Sequence, residues 1–166
     1  MSTWFDNGSG IDISLRPSDE LATNTTQYSV VGIPPTTTAA DRTVYLADAG
    51  AALNDTTCAR HAIGINMTYL SAGAEACQVR IMGLAKAKCA ASIASGSWIR
   101  AYEGISTTTF PGHIVALVDA VSVTVFGQTI ASHKAVIGRA LADGSTNSVI
   151  EVVLIPQLYD KNLISE

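Results

Sequence analysis

Three histidines, three cysteines and fourteen acidic side chains are the groups in this 166-residue chain that could carry covalent, acid–base or metal chemistry. A nucleophilic site needs a Cys or Ser next to a His, with an acid to orient the ring. His61, His113 and His133 are the available bases, and Cys58-x-x-His61 is the one close Cys/His spacing. No second pair stands nearby to complete a tetrahedral zinc site. His61 and His133 each stand just ahead of an Ile-Gly stretch, where a solvated loop histidine is the simpler role. Asp19, Glu20 and Asp41 lie towards the N-terminus, and Glu75 and Glu103 lie near turns. A carboxylate pair could hydrolyse a glycosidic bond, but such sites come with aromatic sugar platforms, and 6% of this chain is aromatic. No Gly-x-Ser-x-Gly elbow, Walker loop or dinucleotide fingerprint is present, and Gly8-Ser9-Gly10 lacks the rest of any phosphate loop. The residues thus point to a non-enzymatic protein with no cofactor and no metal.

Composition narrows the class further. Net charge is −4, and the ten Lys and Arg residues form no run denser than Lys86-Ala87-Lys88. Nucleic-acid binding needs a basic face that displaces counterions, so it is not expected. No stretch approaches the roughly 18 apolar residues of a membrane span, and residues 1–10 have no basic-then-apolar leader pattern. Cys58, Cys77 and Cys89 are an odd count without paired spacing, which argues against a disulfide framework and for half-buried filler. Charged residues make up 14% of the chain, against roughly 25% in an average soluble domain. An exterior this poor in charge is expected to be completed by other protein chains.

The elements that would position any contact fall into three parts. Residues 1–42 read as an extended N-terminal arm, with hydrophobics singly or in pairs and Pro34-Pro35 enforcing an extended link. Ile11-x-Ile13-x-Leu15 has the alternation of a short strand. Residues 43–156 read as a body of short strands, and 157–166 as a tail. Strands are expected at 43–46, 59–67, 77–82, 98–102, 114–118, 121–126, 134–141 and 149–155, with another alternation from Leu84 to Ala90 after a break at Gly83. Ser71–Ala74 and Asp143-Gly144 read as turns. Strands recurring about every ten residues indicate an all-β barrel or sandwich. Trp98 and Tyr102 are expected to pack in the core beneath a loop. Trp4 and Phe5 are costly to leave in water, at roughly 1.5–3 kcal/mol each relative to full burial. They are the best candidates for an anchor in another subunit.

Two segments echo each other. His61-Ala62-Ile63-Gly64-Ile65 leads through Gly73 to Val79-Arg80-Ile81, and Ala135-Val136-Ile137-Gly138-Arg139 leads through Gly144 to Ile150-Glu151-Val152. The offset from Gly73 to Arg80 equals that from Gly144 to Glu151. This reads as a pair of similar hairpins, each built around a glycine where two backbones approach closely.

From about Arg60 to Pro156 the chain resembles the small capsid decoration, or cement, proteins of tailed phages. The features are HAIGI, AGAEACQVRIMG, ASIASGSWI, AVIGRALADGST and SVIEVVLIP, over a little under two-thirds of the chain. Gly96-Ser97 departs from the family's usual Gly-Asp in the middle motif, and the long arm departs from its shortest members. Asp48-Ala49-Gly50-Ala51-Ala52 stands where the family tends to have an early glycine-rich turn. The resemblance implies a small β-barrel or β-tulip-like domain. It also implies a homotrimer on the local threefold sites of the outer capsid surface, with the major capsid protein as partner, made in the host cytoplasm. Trp4, Phe5, Ile11, Ile13, Leu15 and Tyr28 are then the candidate capsid or subunit contacts. The rival reading is a trimeric tail-fibre, spike or host-surface binding module, which should carry exposed aromatic or carboxylate clusters for glycans.

Overall fold

The computed structural model describes residues 10–18, 21, 27–33, 43–47, 62–102, 110, 112–117, 122–125, 128–131 and 136–155. Trp4, Phe5, Cys58, His61, His133, Pro34-Pro35 and the 157–166 tail lie outside them. Every element with described bounds is a strand. They are β1 (Gly10–Pro17), β2 (Val30–Gly32), β3 (Thr43–Leu46), β4 (Ala62–Asn66), β5 (Cys77–Lys88), β6 (Trp98–Ala101), β7 (Ile114–Ala116), β8 (Ser122–Val125), β9 (Gln128–Ala131), β10 (Val136–Ala140) and β11 (Val149–Leu154). The protein is mainly β, as its strand spacing requires. β8 and β9 form a separate hairpin, and β9 is a strand that the apolar pattern does not announce.

β1, β3, β2, β4 and β5 pair in that order, and β5 returns to β1, which closes a five-stranded barrel. Its interior holds Val31, Val44, Leu46, Leu70, Cys77 and Val79, with Ile13, Leu15, Ile63 and Ile81 packed against them. Residues 10–17 and 30–32, within the segment read as an arm, are thus two staves of this barrel. An alternating strand such as β1 must bury one face, and the surface it lies on is the chain's own β5, from Leu15 opposite Cys77 to Gly10 opposite Gly83.

β5 then continues into a second ring. Its C-terminal half pairs with β11, followed by β10, β6 and β7. β7 comes back to the end of β5 through a parallel bridge between Cys89 and Ile114, where the Ala90 N–H donates to the Ile114 carbonyl at 2.8 Å. The larger core fills this ring and reaches across to the first barrel: Ala85, Ala87, Cys89, Ile99, Ile114, Ile150 and Val152 pack with Val30, Ala62 and Ile65. A strand break at Gly83 does not occur. Gly83 adopts φ +96°, which lets one 12-residue strand pass from the first ring into the second without ending.

The two rings have one topology. If the C-terminal half of β5 stands for β1, then β6, β7, β10 and β11 stand for β2, β3, β4 and β5, and the neighbour order is the same in each. The likeness extends to irregularities. Val31 and Gly32 pair with Gly64 and Ala62, leaving Ile63 bulged, and Ile99 and Arg100 pair with Gly138 and Val136, leaving Ile137 bulged. A Cβ on Gly64 would collide with the Arg80 carbonyl oxygen, and one on Gly138 with that of Val153. Counted from these glycines, Arg80 corresponds to Val153; counted from Gly73 and Gly144 it corresponds to Glu151. The two hairpins therefore differ in spacing on both sides of the turn glycine: nine residues separate Gly64 from Gly73 but six separate Gly138 from Gly144, and seven separate Gly73 from Arg80 but nine separate Gly144 from Val153. Asp143-Gly144 is not itself the reversal: the chain turns at Thr146-Asn147, with Asn147 at φ +65° and the Ser148 N–H donating to the Ser145 carbonyl at 3.0 Å. Gly144 instead bridges Ile93, and a Cβ there would press on Cys89 Sγ at 2.7 Å.

Candidate functional site

Among the described residues the groups that could do chemistry do not converge. His113 is half-buried and meets the Phe110 ring edge-on at 5.4 Å; Phe110 in turn meets Tyr102 edge-on at 5.9 Å. Its surroundings are a packed aromatic corner. No cluster of three or more His, Cys, Asp or Glu side chains that could hold a metal occurs among the described residues. Cys77 and Cys89 are buried free thiols. Burial pushes the Cys77 thiol up to about 11. It also raises that of Cys89, against a smaller opposing hydrogen bond with Ser148. Because the thiolate is the reactive form, neither should react with a thiol reagent until the protein unfolds. In a Cys58→Ser background the expected result is no labelling in buffer and full labelling in denaturant; fast native labelling would contradict the packing.

What the structure does assemble is a contact wall. Cross-strand partners share a face of the sheet, and one row runs across four strands: Trp98 on β6, Arg139 on β10, Val153 on β11 and Leu84 on β5. Met82 follows two residues before Leu84 and is paired with Ile11 on β1. Trp98 is 45% exposed, Leu84 41%, Met82 36% and Ile11 47%. Leu141, just beyond β10, and Val149, at the start of β11, are also exposed. Six of the eight exposed large hydrophobics of the described chain thus lie on or beside β1, β5, β6, β10 and β11; Ile33 and Tyr69 are the other two. Lys86 and Lys88 follow Leu84 at strand spacing, and Glu151 on β11 stands opposite Lys86, so both signs of charge edge the row.

The local reasons are legible residue by residue. In Leu84-Ala85-Lys86-Ala87-Lys88 the alanines are buried, so Leu84 shares the outward register with the lysines. Trp98 departs from the expected core position. It lies at the outward end of β6, whose inward residues are Ile99 and Ala101, and the Arg139 guanidinium covers its ring at 5.2 Å. Arg139 is fixed there because its Nε donates to the Gly96 carbonyl at 2.6 Å. Sequence reasoning missed Met82, Leu84, Arg139 and Val153. The period-2 pattern carried the signal for Leu84, but the alignment of one row across four strands is visible only in the pairing register.

The candidate contacts separate. Ile13 and Leu15 are half-buried against the first barrel's core. Tyr28 is half-buried in a turn at φ +67°, its N–H donating to the Asn66 carbonyl at 2.8 Å and its carbonyl accepting from the Lys88 N–H at 3.2 Å. Ile11 alone of the described candidates joins the exposed row. Beneath it, Arg80 is buried and ties β5 to β1: Nε and Nη2 donate to the two Asp12 carboxylate oxygens at 2.6 and 2.7 Å, and Nη1 to the Leu84 carbonyl at 2.7 Å. Comparison with known proteins adds no family to this geometry: no protein-family model matches the chain, and no curated protein matches it.

Proposed function

We propose that this chain is a structural, non-enzymatic virion protein, a capsid decoration protein that binds the outer surface of a tailed-phage shell as a homotrimer. The observation that carries the reading is the exposed apolar wall on β1, β5, β6, β10 and β11, on a protein of unusually low charge. Exposed apolar side chains grouped on one stretch of sheet, with charges among them, are the kind of surface that marks interfaces with other proteins. The resemblance supplies the kind of partner. Its motifs occupy β4, β5, β6, β10 and β11, five of the nine strands of the two rings and four of the five that carry the wall. A closed five-stranded barrel, continued through β5 into a ring that one bridge completes, leaves few free sheet edges, so contact runs through side chains on a stiff support. A trimer of such units would add buried area between capsomers without any chemistry.

The test is binding to purified shells that lack the protein, read by co-sedimentation, with oligomeric state read by analytical ultracentrifugation. The expected result is a trimer that binds shells and not free capsid subunits. Replacing Leu141 and Val149 with Lys together should weaken binding by at least about tenfold, from the apolar area no longer removed from water. A monomer at high concentration that ignores shells would refute the proposal, and selective binding to a glycan array would replace it with a host-surface role.

A further inference from the structure

The two rings repeat one another down to single backbone bonds. The Ala47 N–H donates to the Val30 carbonyl at 3.0 Å in the first ring, as the Leu117 N–H does to the Trp98 carbonyl at 2.7 Å in the second. Tyr28 donates to Asn66 and Gly96 to Ala140, both at 2.8 Å and both from positive φ. Met67 donates to Gln78 as Leu141 does to Glu151. Val30 pairs with Ile65, and Trp98 with Arg139. The end of the second ring that carries Trp98, Arg139, Leu117 and Leu141 thus matches the end of the first that carries Val30, Ile65, Ala47 and Met67. The matched ends differ in exposure. Val30, Ile65 and Ala47 are fully buried, and Met67 is half-buried against the same core. The second ring covers them, in a core that includes Cys89, Ile99 and Ile114. Backbone bonds fasten this contact: the Val30 N–H donates to the Gly112 carbonyl at 2.7 Å, the Gly112 N–H to that of Ala47 at 3.0 Å, and the Lys88 N–H to that of Tyr28 at 3.2 Å. Among the described residues no third ring follows to cover the second. Trp98, Arg139 and Leu141 are exposed, and Leu117 is half-buried.

We propose that a second copy of this chain covers that end, its first ring seated on the second ring of its neighbour as the second ring is seated on the first within one chain. The contact joins two different surfaces and is therefore head-to-tail. A two-fold contact joins copies only in pairs, whereas a head-to-tail contact can close a ring of three. The inference rests on the trimeric part of the proposed function and assigns the interface that makes the trimer. It also divides the wall. In the first ring the buried row ends at Arg80, and its partner Asp12 is exposed. Val153 and Leu84 are paired in the same register in the second ring. The covered part is then Trp98, Arg139 and Val153, with Leu84, Met82 and Ile11 left free for the shell. The entering copy brings Arg16 where the second ring brings Lys88: each lies two residues before a residue, Ser18 or Ala90, that donates to Val44 or Ile114. Around Gly96 stand one cation and one anion, Arg139 donating to the Gly96 carbonyl and Asp143 accepting from the Ser95 N–H. Their charges offset, so Arg16 meets no net repulsion there.

Engineered cysteines read the contact directly. Arg16 of one copy should lie beside Gly96 of the next, as Lys88 lies beside Tyr28. The background is Cys58→Ser, in which Cys77 and Cys89 are buried. Space around Gly96 is open, and Tyr28 holds a side chain in the matching conformation, so Gly96→Cys should fold. On oxidation with diamide, Arg16→Cys alone and Gly96→Cys alone are expected to give no covalent oligomer. Mixed together they should give a covalent dimer, and combined in one chain a covalent trimer. Leu141→Lys should raise the concentration needed for assembly at least about tenfold in ultracentrifugation. Leu141 is exposed, so its circular dichroism should match the parent's; if it does not fold, the cysteine result decides alone. Self-cross-linking of Gly96→Cys would make the contact two-fold and overturn the proposal. So would a mixture that gives no covalent dimer, or a trimer that Leu141→Lys leaves intact. A trimer built through another face would leave the shell reading standing, whereas cross-linked trimers that ignore shells would support this interface and refute that reading.

Discussion

Alanine at Gly138 is expected to destabilise the fold by about 3 kcal/mol, near the top of the usual range for overpacking a filled site. The added Cβ would collide with the carbonyl oxygen of Val153, a backbone atom held in the β10–β11 ladder. A side chain in that place could swing away, but a paired strand cannot move without breaking its own hydrogen bonds. Gly64 faces the Arg80 carbonyl in the same way, so Gly64→Ala should cost a similar amount, as duplicated geometry demands. Gly73→Ala is the control. Gly73 sits at φ +81° with open space around it, so only the left-handed backbone is penalised, at roughly 1 kcal/mol. Urea unfolding followed by circular dichroism would measure all three. If Gly138→Ala unfolded within about 1 kcal/mol of the parent, the close approach of the two strands would be in error.

The second large effect concerns the tie between β1 and β5. Arg80 is 3% exposed, and its Nε and Nη2 both donate to the Asp12 carboxylate. Asp12→Ala leaves a buried guanidinium without its carboxylate. Removing one partner of a buried pair costs about 3–5 kcal/mol, and because the Asp12 side chain retains 31% exposure the expected loss is nearer 2 kcal/mol. Asp12→Asn, which keeps the shape and one acceptor, should cost less. The pH dependence has a definite sign. The hydrogen bond from Arg80, with its charge, holds the Asp12 carboxyl below the ordinary carboxylate range, although partial burial opposes this. Its contribution is therefore complete above the unfolded value near 4 and is lost as pH falls through the lower folded value. The difference in stability between parent and Asp12→Ala should be largest at neutral pH and shrink below about pH 4. A difference that stayed constant down to acid unfolding would show that Asp12 acts by packing, not by charge.

The parent of both predictions is a duplicated unit, and the chain displays half of that fact openly. Ile63-Gly64 and Ile137-Gly138 announce the paired hairpins, since no other residue lets two backbones come so near. The sharing of β5 is not announced. Gly83 punctuates the sequence as a turn would, yet at φ +96° it carries one strand from the first ring to the second. Local pattern cannot tell these outcomes apart, because a glycine permits both and only the partners on each side of the strand decide. The same limit applies to β1 and β2. Their sparse hydrophobics look like an arm seeking a surface, and the surface turns out to be folded from residues 30 or more positions further on.

The row of exposed side chains shows where local information ends. That Leu84 faces outward with Lys86 and Lys88 follows from period two and the buried alanines between them. That it meets Val153, then Arg139, then Trp98, depends on the register of three strand pairs brought together from 70 residues of chain. What the order of amino acids determined alone is the class of the protein: mainly β, poor in charge, and without a motif for catalysis. It also determined which glycines must stay glycines, because that requirement is written in backbone sterics at single positions. What only the assembled chain decided is which faces meet, and hence which apolar groups are sealed inside and which form the wall. Burial is a property of pairs of distant residues, and no single strand contains the partner that will cover it.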